Sequence, residues 1–343
     1  MSTRLSSPFH VCFSRPGIEH WLIEEAQERY GLYGTSLAPG RIKLEGDLPS
    51  TPLVFEWQRM PNARFFSLDK GTRPPSEITD VFWNFFSDSP TPWALQAVPA
   101  PDSEQVSSNR LNAVIRDLLK AGKTRHPDLM RWERKAKKIF RTSEGRILQV
   151  SALRNGFFFS VSSPAELSSS VPGGELRMKM DEAAPSRSFL KVEEAFFRMG
   201  IEPKAGETVI DLGAAPGGWS YAFAKRGAQV TAVDNGPLKI TDSCIRRIDQ
   251  LHVDGLTFRL SKHQPPVDWL VSDMLIAPGE AFGLLKHWVQ GHHCTKIVMN
   301  FKIPQHHPMS ALLSILEWLE PYPDLHMRQL CHDRREVTVF GKV

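Results

Sequence analysis

Residues 209–220, Val-Ile-Asp-Leu-Gly-Ala-Ala-Pro-Gly-Gly-Trp-Ser, are of types and in an order that could bind a nucleoside. A short apolar run ends at Asp211, a glycine-rich loop follows, and residues 221–226 have the composition of a helix. A second apolar run, 230–233, stops at Asp234. This order of strand, glycine loop, helix and second strand ending in an acid is typical of nucleoside sites in α/β sheets. The glycines let the backbone approach the ligand, and the acid accepts hydrogen bonds from the ribose hydroxyls.

The spacing of the loop glycines separates two classes of cofactor. Gly213, Gly217 and Gly218 give G-x-x-x-G-G, whereas a dinucleotide site has G-x-G-x-x-G, and Pro216 stands where amides that bind pyrophosphate are needed. The loop therefore favours the methionine and ribose end of S-adenosyl-L-methionine (SAM). A NAD-dependent oxidoreductase is the disfavoured alternative, and titration with the two cofactors discriminates between them.

Four apolar runs that predict strands end in a charged residue, at Asp211, Asp234, Asp273 and Lys302. The functional groups of an open α/β sheet gather at the carboxyl ends of its strands. Solvation does not explain four charges on one edge, since the runs behind them are buried. The pattern predicts an active site there.

The elements that would position these residues alternate between strand and helix from residue 186 onward, which is typical of a parallel α/β sheet. We expect the following order: helix 188–199, strand 208–212, helix 217–226, strand 229–233, helix 237–249, a short strand by Asp254, strand 267–272, helix 279–290, strand 296–301, helix 308–320, and strands 325–331 and 335–342.

The residues before 186 predict smaller α+β units. The expected elements are strands 9–15, 41–45 and 53–57 with helix 18–30, a linker at 70–75, helix 78–86, strand 93–98, helix 109–121, one helix beginning at Pro127, a hairpin of 146–153 and 156–162, and a linker over 163–184.

A basic cluster lies within residues 120–146, where ten Lys or Arg accompany only three acids, although the whole chain has a net charge of only +4. Such a patch can meet a phosphate backbone, and a solvated helix face explains it equally well. The helical spacing of Trp132 and Phe140 favours core packing over stacking on bases. The candidate RNA contacts are Lys123, Arg131, Arg134, Lys135, Lys137 and Lys138.

Composition excludes several other classes. The four cysteines form no C-x-x-C pair, and the His292-His293 and His306-His307 pairs lack metal-ligand spacing, so we expect neither a disulfide framework nor a metal site. No apolar run approaches the roughly 18 residues that span a bilayer. We expect a soluble, cytoplasmic protein.

Two further residues complete a known pattern. Lys191, Asp273, Lys302 and Glu336, in that order, resemble the K-D-K-E tetrad of the FtsJ-type SAM-dependent ribose 2′-O-methyltransferases. The loop after Asp211 and the sequence Val-Ser-Asp-Met resemble two other motifs of these enzymes. The resemblance implies a Rossmann-like methyltransferase domain with a seven-stranded mixed sheet.

Residues 181–343 further resemble the RlmM family of bacterial 23S rRNA cytidine 2′-O-methyltransferases, through Asp-Glu-Ala-Ala-Pro-Ser-Arg-Ser-Phe-Leu-Lys, Val-Asp-Asn-Gly-Pro and His-Asp-Arg-Arg-Glu-Val-Thr-Val. The resemblance is weaker over 9–30. It implies four parts: a ferredoxin-like domain over 1–70, a THUMP-like RNA-binding domain over 71–165, a linker over 166–185 and the methyltransferase domain over 186–343.

The resemblance also implies roles. Lys302 is expected to be the general base, with the like charge of Lys191 lowering its pKa, and Asp273 and Glu336 orienting both lysines. Asp249 is an alternative to Asp254 as the acid that accepts from the adenine amine. The expected cofactor-binding residues are Ser188, Asp211, Gly213, Ala215, Pro216, Gly217, Gly218, Trp219, Asp234, Asp254 and Asp273.

The resulting hypothesis is a monomeric 2′-O-methyltransferase that acts on a cytidine of 23S rRNA in the peptidyl-transferase region, on naked RNA or an early assembly intermediate. The same chemistry on a tRNA or another rRNA ribose is the nearest alternative. A catalytically inactive RNA-binding assembly factor is an alternative of another class, against which the complete tetrad argues.

Overall fold

A computed structural model describes residues 9–67, 79–80, 83–84, 91–98, 108–153, 156–261 and 264–343. The chain divides into two compact units, Met1–Glu175 and Leu176–Val343. This division falls within the predicted linker 166–185. The predicted linker at 70–75, the domain boundary near residue 70 and most of the predicted helix 78–86 lie outside the described residues.

The first unit contains a seven-stranded sheet in the order β2-β3-β1-β4-β7-β6-β5. Strand β4 connects its two halves, because residues 58–63 pair with β1 and residues 64–67 pair with β7. Neighbouring strands are antiparallel except β5 and β6. The strands are β1 (Phe9–Phe13), β2 (Tyr33–Ala38), β3 (Arg41–Glu45), β4 (Gln58–Ser67), β5 (Trp93–Val98), β6 (Arg146–Leu153) and β7 (Gly156–Ser162).

Residues 53–57 are not a strand, so that prediction is wrong. Helix α1 (Glu19–Tyr30) buries Glu25 completely, and the Glu25 carboxylate accepts the backbone N–H groups of Val54 (2.8 Å) and Phe55 (3.2 Å). A side chain therefore satisfies backbone donors that a strand partner would otherwise satisfy.

The single basic helix predicted from Pro127 is also wrong. After α2 (Ser108–Arg125), the chain forms two short helices, α3 (Pro127–Met130) and α4 (Ala136–Thr142). Between them, Trp93 of β5 donates its N–H to the carbonyl of Trp132 (3.1 Å) and accepts the N–H of Arg134 (2.7 Å). Trp132 is consequently 37% exposed instead of packed in the core.

The second unit contains a mixed seven-stranded sheet in the order β10-β9-β8-β11-β12-β14-β13. The first five strands of that order are parallel, and β14 is antiparallel to both β12 and β13. This confirms the predicted Rossmann-like fold. The strands are β8 (Thr208–Leu212), β9 (Gln229–Val233), β10 (Ile248–Leu251), β11 (Val267–Ser272), β12 (Cys294–Lys302), β13 (Leu325–Arg328) and β14 (Glu336–Lys342).

The helices of this unit are α5 (Phe189–Met199), α6 (Gly218–Ala224), α7 (Pro278–Gln290) and α8 (Met309–Leu319). Phe196, Phe223 and Trp269 form an aromatic cluster with ring centroids 5.0–5.6 Å apart, which fixes α5 and α6 on the sheet. The predicted helix 237–249 is wrong. A short 3-10 helix, Ser243–Arg247, leads directly into β10, whose four residues pair with β9.

Candidate active site

The four side chains of the predicted tetrad meet at the carboxyl edge of the second sheet. Lys191 lies in the first turn of α5, Asp273 directly follows β11, Lys302 ends β12, and Glu336 begins β14. The strand register brings three of them together, since β11 and β12 are parallel neighbours and Lys302 pairs directly with Glu336 across β12 and β14.

Each lysine contacts both acids. Lys191 Nζ lies 3.2 Å from Asp273 Oδ1 and also donates to Glu336 Oε2. Lys302 Nζ lies 2.7 Å from the same Asp273 Oδ1 and 3.1 Å from Glu336 Oε1. The side chains are 11–19% exposed, so two positive and two negative charges are balanced in a partly dehydrated cluster that remains open to a substrate.

The acids determine the protonation of Lys191. Burial favours the neutral amine, but the charges of Asp273, Asp333 and Glu336 outweigh burial and raise the pKa of Lys191. Burial likewise disfavours the Glu336 carboxylate, yet its contacts with Lys191 and Lys302 lower the pKa of Glu336. The two acids that contact Lys191, Asp273 and Glu336, also contact Lys302.

Two buried residues behind the tetrad were not predicted. Asn300 Oδ1 accepts from Lys302 Nζ (3.0 Å), and Asn300 Nδ2 donates to Asp333 Oδ1 (3.0 Å). Asp333 is fully buried, and burial raises its pKa to about 8 although the Lys191 charge opposes this. Alternation along β12 could have identified Asn300, because residues two apart on a strand share a face.

The glycine loop joins β8 to α6 through backbone conformations that favour glycine. Gly213 and Gly217 have φ of 74° and 108°, and the Ala215–Pro216 peptide is cis. A Cβ on Gly218 would lie 2.2 Å from Ser186 Oγ and 2.8 Å from Ser188 Oγ, which themselves hydrogen-bond at 2.7 Å. The missing side chain thus lets the segment before α5 close against the start of α6.

That contact also links the loop to the tetrad. The indole N–H of Trp219, a buried residue of α6, donates to the carbonyl of Ser188 (2.9 Å). The same carbonyl accepts the backbone N–H of Lys191 (3.0 Å). Ser188 and Trp219 therefore hold the first turn of α5, with its lysine, against the loop.

Asp234 lies beside the loop as predicted from its position after β9. Its carboxylate accepts the N–H groups of Ala215 (2.9 Å) and Gly236 (2.6 Å). Each carboxylate oxygen has two acceptor positions, so Asp234 retains capacity for two ribose hydroxyls. Asp254 is exposed in the turn after β10 and accepts the N–H of Leu256, whereas Asp249 lies inside β10.

Asp211 differs from the other predicted cofactor residues. It is 1% exposed, and its Oδ2 accepts from Ser220 Oγ at 2.6 Å. Burial raises the pKa of Asp211 to about 7, although the hydrogen bonds with Ser220 oppose this. The side chain ties β8 to α6 beneath the loop.

The predicted RNA contacts lie in the first unit, in α2, α4 and the segment between α3 and α4. Lys123, Arg131, Lys135, Lys137 and Lys138 are exposed. Arg134 differs, because it is half-buried and its guanidinium donates to two backbone carbonyls, those of residues 131 and 133.

The residues that the structure describes contain neither a membrane-spanning helix nor a cluster of potential metal ligands. None of their helices is long and apolar enough to cross a membrane. None of their His, Cys, Asp and Glu side chains form a group of three or more that could hold a metal ion.

Comparison with known proteins gives a consistent result. A family profile described as FtsJ-like methyltransferase matches residues 184–305. A protein of Laribacter hongkongensis (strain HLHK9) named ribosomal RNA large subunit methyltransferase M is 33% identical over 355 residues, which cover 95% of this chain and 94% of that protein.

Two proteins with the same name show higher identity over a shorter stretch. Those of Azoarcus sp. (strain BH72) and Thauera aminoaromatica are both 38% identical, over 182 and 185 residues. These matches span about half of this chain and about half the length of each relative.

Proposed function

The chain belongs to the family of proteins named ribosomal RNA large subunit methyltransferase M, and we propose that it methylates the 2′-hydroxyl of a cytidine in 23S rRNA. Membership confirms the resemblance to the RlmM family. The FtsJ-like domain makes the chain a methyltransferase with SAM as its cofactor.

The observation that carries the reaction type is the paired contact of two lysines with two acids at the edge of the sheet. A ribose hydroxyl has a pKa far above neutrality, so its attack needs a general base. Amine groups held 2.7–3.2 Å from a shared carboxylate oxygen, on a partly exposed edge, fit that task.

Lys302 is the base in this proposal. Its neutral Nζ takes the proton of the 2′-hydroxyl as that oxygen attacks, so that an O–H bond breaks and an N–H bond forms. When bound, SAM would supply the methyl group: the S–CH₃ bond would break as the O–CH₃ bond forms, and the demethylated cofactor, a neutral thioether, would be the leaving group. Lys191 is held as an ammonium by its raised pKa and keeps Asp273 and Glu336 ionised and in place.

The loop residues fit the cofactor. Gly217 and Gly218 let the loop pack against Ile240 and Ser186, which a Cβ would meet at 2.8 Å and 2.2 Å, and Asp234 has free acceptor capacity for the ribose hydroxyls. Ser188 and the 213–219 loop would contact the methionine end, Asp254 the adenine amine, and Asp273 the methyl end. Asp211 would contribute from beneath, by holding the loop.

The exposed basic residues of the first unit would bind the RNA backbone through charge, without sequence preference. Trp132, which is exposed between Arg131 and Arg134, would stack on an unpaired base. A THUMP-like role for residues 71–165, a naked or early-assembly 23S substrate, a cytoplasmic location and a monomeric state complete the proposal.

Mapping of ribose methyl groups tests the substrate. We expect a strain without this gene to lose one methyl group at a cytidine of the 23S peptidyl-transferase region, and the wild-type gene, but not Lys302→Ala, to restore it. Separated rRNA and tRNA pools are compared by mass spectrometry. Loss of a mark from tRNA or another rRNA ribose instead would overturn the choice of substrate, and loss of none would favour an assembly factor.

A further inference from the structure

The hydrogen bonds of Lys302 leave no spare hydrogen on its ammonium. Nζ lies 2.7 Å from Asp273 Oδ1, 3.0 Å from Asn300 Oδ1 and 3.1 Å from Glu336 Oε1. A lysine ammonium has three donors and no acceptor, and these oxygens match the three donors. A neutral Lys302 has two N–H donors and one lone pair. The two acceptors that still receive an N–H therefore determine the direction of the lone pair.

The register of the sheet makes Asn300 one of these acceptors. Lys302 pairs with Glu336 and Asn300 pairs with Thr338 across β12 and β14. Residues two apart on a strand face the same side, so Asn300 and Lys302 lie side by side. Asn300 is 2% exposed, and its amide is therefore fixed by protein partners.

Asp333 decides which end of that amide faces Lys302. Its Oδ1 accepts from Asn300 Nδ2 at 3.0 Å, while its Oδ2 accepts from Thr338 Oγ1 (3.0 Å) and from the N–H of Leu330 (2.9 Å). Oδ1 has no hydrogen to offer Asn300 when Asp333 is ionised or carries its proton on Oδ2, where Thr338 Oγ1 can accept it, so the amide NH₂ turns toward Asp333. The amide oxygen then turns toward Lys302.

We propose that Asn300 and Asp333 are positioning residues: Asp333 fixes the orientation of the Asn300 amide, and the amide oxygen holds one hydrogen of Lys302, so that the lone pair of the neutral amine is left for the substrate hydroxyl. The proposal rests on the proposed role of Lys302 as base.

The third acceptor of Lys302, the amide oxygen of Asn300, is uncharged, and this matters for the proposed role as much as its position. Lys302 faces Asp273 at the end of β11, Glu336 on β14 and, through these acids, Lys191 on α5, with Asp333 behind Asn300. A neutral amide holds the amine without adding a third contacting anion, which would oppose deprotonation.

The first test is Asp333→Asn. Its side chain can offer an NH₂ to Asn300, which lets the Asn300 amide turn and present its own NH₂ to Lys302. We expect the single-turnover rate to fall about 10- to 100-fold, as a misplaced reacting group does, with the SAM Kd and the RNA KM unchanged. The substrate is the RNA that the wild-type chain methylates.

The second test exchanges the two groups in Asn300→Asp/Asp333→Asn. The acid at 300 accepts from Lys302 and from the amide at 333, whose oxygen accepts from Thr338 and Leu330, so these hydrogen bonds and the total charge are kept. The longer contacts of Asn300 Nδ2 with Thr338 Oγ1 (3.3 Å) and Glu336 Oε2 (3.5 Å) are lost. We expect the rate to recover at high pH, with the pH–rate profile shifted upward by about one unit, because Lys302 now faces a third carboxylate.

Asp268→Asn is the matched control, since Asp268 lies on β11 at the opposite edge and accepts from Thr208. Its rate and pH profile should equal those of the wild type. If thermal unfolding shows that Asp333→Asn is not folded, Asn300→Ala takes its place. That variant removes the acceptor of Lys302 without adding a buried charge, and it should lose the same factor in single-turnover rate.

Two results overturn the positioning role. One is that Asp333→Asn or Asn300→Ala keeps its single-turnover rate within about threefold of wild type, which is a difference below about 1 kcal/mol in the activation barrier. The other is an exchange variant that recovers the rate without any shift of the pH profile, as a purely structural pair would. The base itself fails separately if Lys302→Ala stays active, and the proposed substrate fails if wild-type protein methylates no ribose of 23S rRNA.

Discussion

Lys191 and Lys302 contact the same two acids but have different surroundings. The Lys191 side chain is 11% exposed, and the surrounding acids raise its pKa, so it remains an ammonium. Lys302 is 19% exposed and also contacts a neutral amide, that of Asn300. In the proposed reaction, Lys302 is therefore the amine that exchanges a proton with the substrate.

Arginine substitutions test this difference at the residue scale. Arginine keeps the positive charge but does not deprotonate in proteins. We therefore expect Lys302→Arg to reduce the single-turnover rate by about 10²- to 10⁴-fold, the usual contribution of a general base. Lys191→Arg should cost about tenfold or less, since a permanent charge suffices there.

Both rates are measured at saturating SAM and RNA, with the thermal unfolding of each variant as a check on folding. Equal losses in the two variants would contradict the assignment of the base to Lys302. A larger loss in Lys191→Arg would reverse it.

At the scale of elements, the junction between the glycine loop and α6 depends on the absence of a side chain at Gly218. An Ala Cβ there would lie 2.2 Å from Ser186 Oγ, which pushes the segment before α5 away from the loop. We expect Gly218→Ala to weaken SAM binding about tenfold, the scale of modest overpacking. Isothermal titration measures it.

Gly283→Ala is the matched control. Gly283 lies within α7, and a Cβ there meets nothing within 4 Å. Its SAM affinity should be unchanged, and its stability should rise by roughly 0.5–1 kcal/mol, because alanine favours a helix. Normal SAM binding by Gly218→Ala would show that the loop tolerates the displacement.

The exposed lysines of α4 give a second prediction at this scale. Lys137→Glu/Lys138→Glu should weaken RNA binding and lower the slope of log K against log salt by about one for each lost phosphate contact. SAM affinity should not change. The matched control is Lys204→Glu, an exposed lysine in the turn before β8. Unchanged RNA affinity in the double variant would identify α4 as a solvated face.

The sequence predicted well the helices and strands that are determined by their own residues and not by contacts with distant parts of the chain. The hairpin bounds 146–153 and 156–162 are confirmed, because most residues of both strands are apolar. Residues 53–57 and 131–135 were misassigned, since Glu25 and Trp93, distant in sequence, bind their backbone. Strand β2 was missed, because four of its six residues are exposed and it has no clear apolar alternation.

The site divides in the same way. The order Lys191, Asp273, Lys302, Glu336 was readable, since each residue adjoins an element whose pattern is strong. Asn300 was not found, although its place two residues before Lys302 on one strand was readable. Asp333 was not found, because an acid in a loop shows no function until the fold brings it against Asn300.

At the scale of the whole molecule, two buried carboxyl groups couple stability to pH. Burial raises the pKa of Asp211 from 3.8 to about 7 and that of Asp333 to about 8. Between the unfolded and folded pKa values, the folded state holds protons that the unfolded state lacks. The contribution to stability is therefore fully present below about pH 4 and is lost as pH rises toward 7 to 8.

Asp211→Asn should remove part of this dependence. The amide keeps the shape of the side chain and an acceptor for Ser220 but does not titrate. We expect the Tm difference between pH 5.5 and pH 8 to be smaller than in the wild type, by several degrees at most. Calorimetry of the full chain measures it, and a pH dependence identical to that of the wild type would contradict the buried, protonated state.

The pairing of β4 with both β1 and β7 bears on how this protein could have been assembled in evolution. Recombination of the gene near codon 70 would separate β4 from β7. Strand β7, with the buried residues Phe157–Phe159, would then be an unpaired edge strand prone to aggregation. A crossover near codon 175 interrupts no strand of either sheet. We therefore expect exchange of domains with other genes near codon 175. The 175 residues before this position are expected to be inherited together.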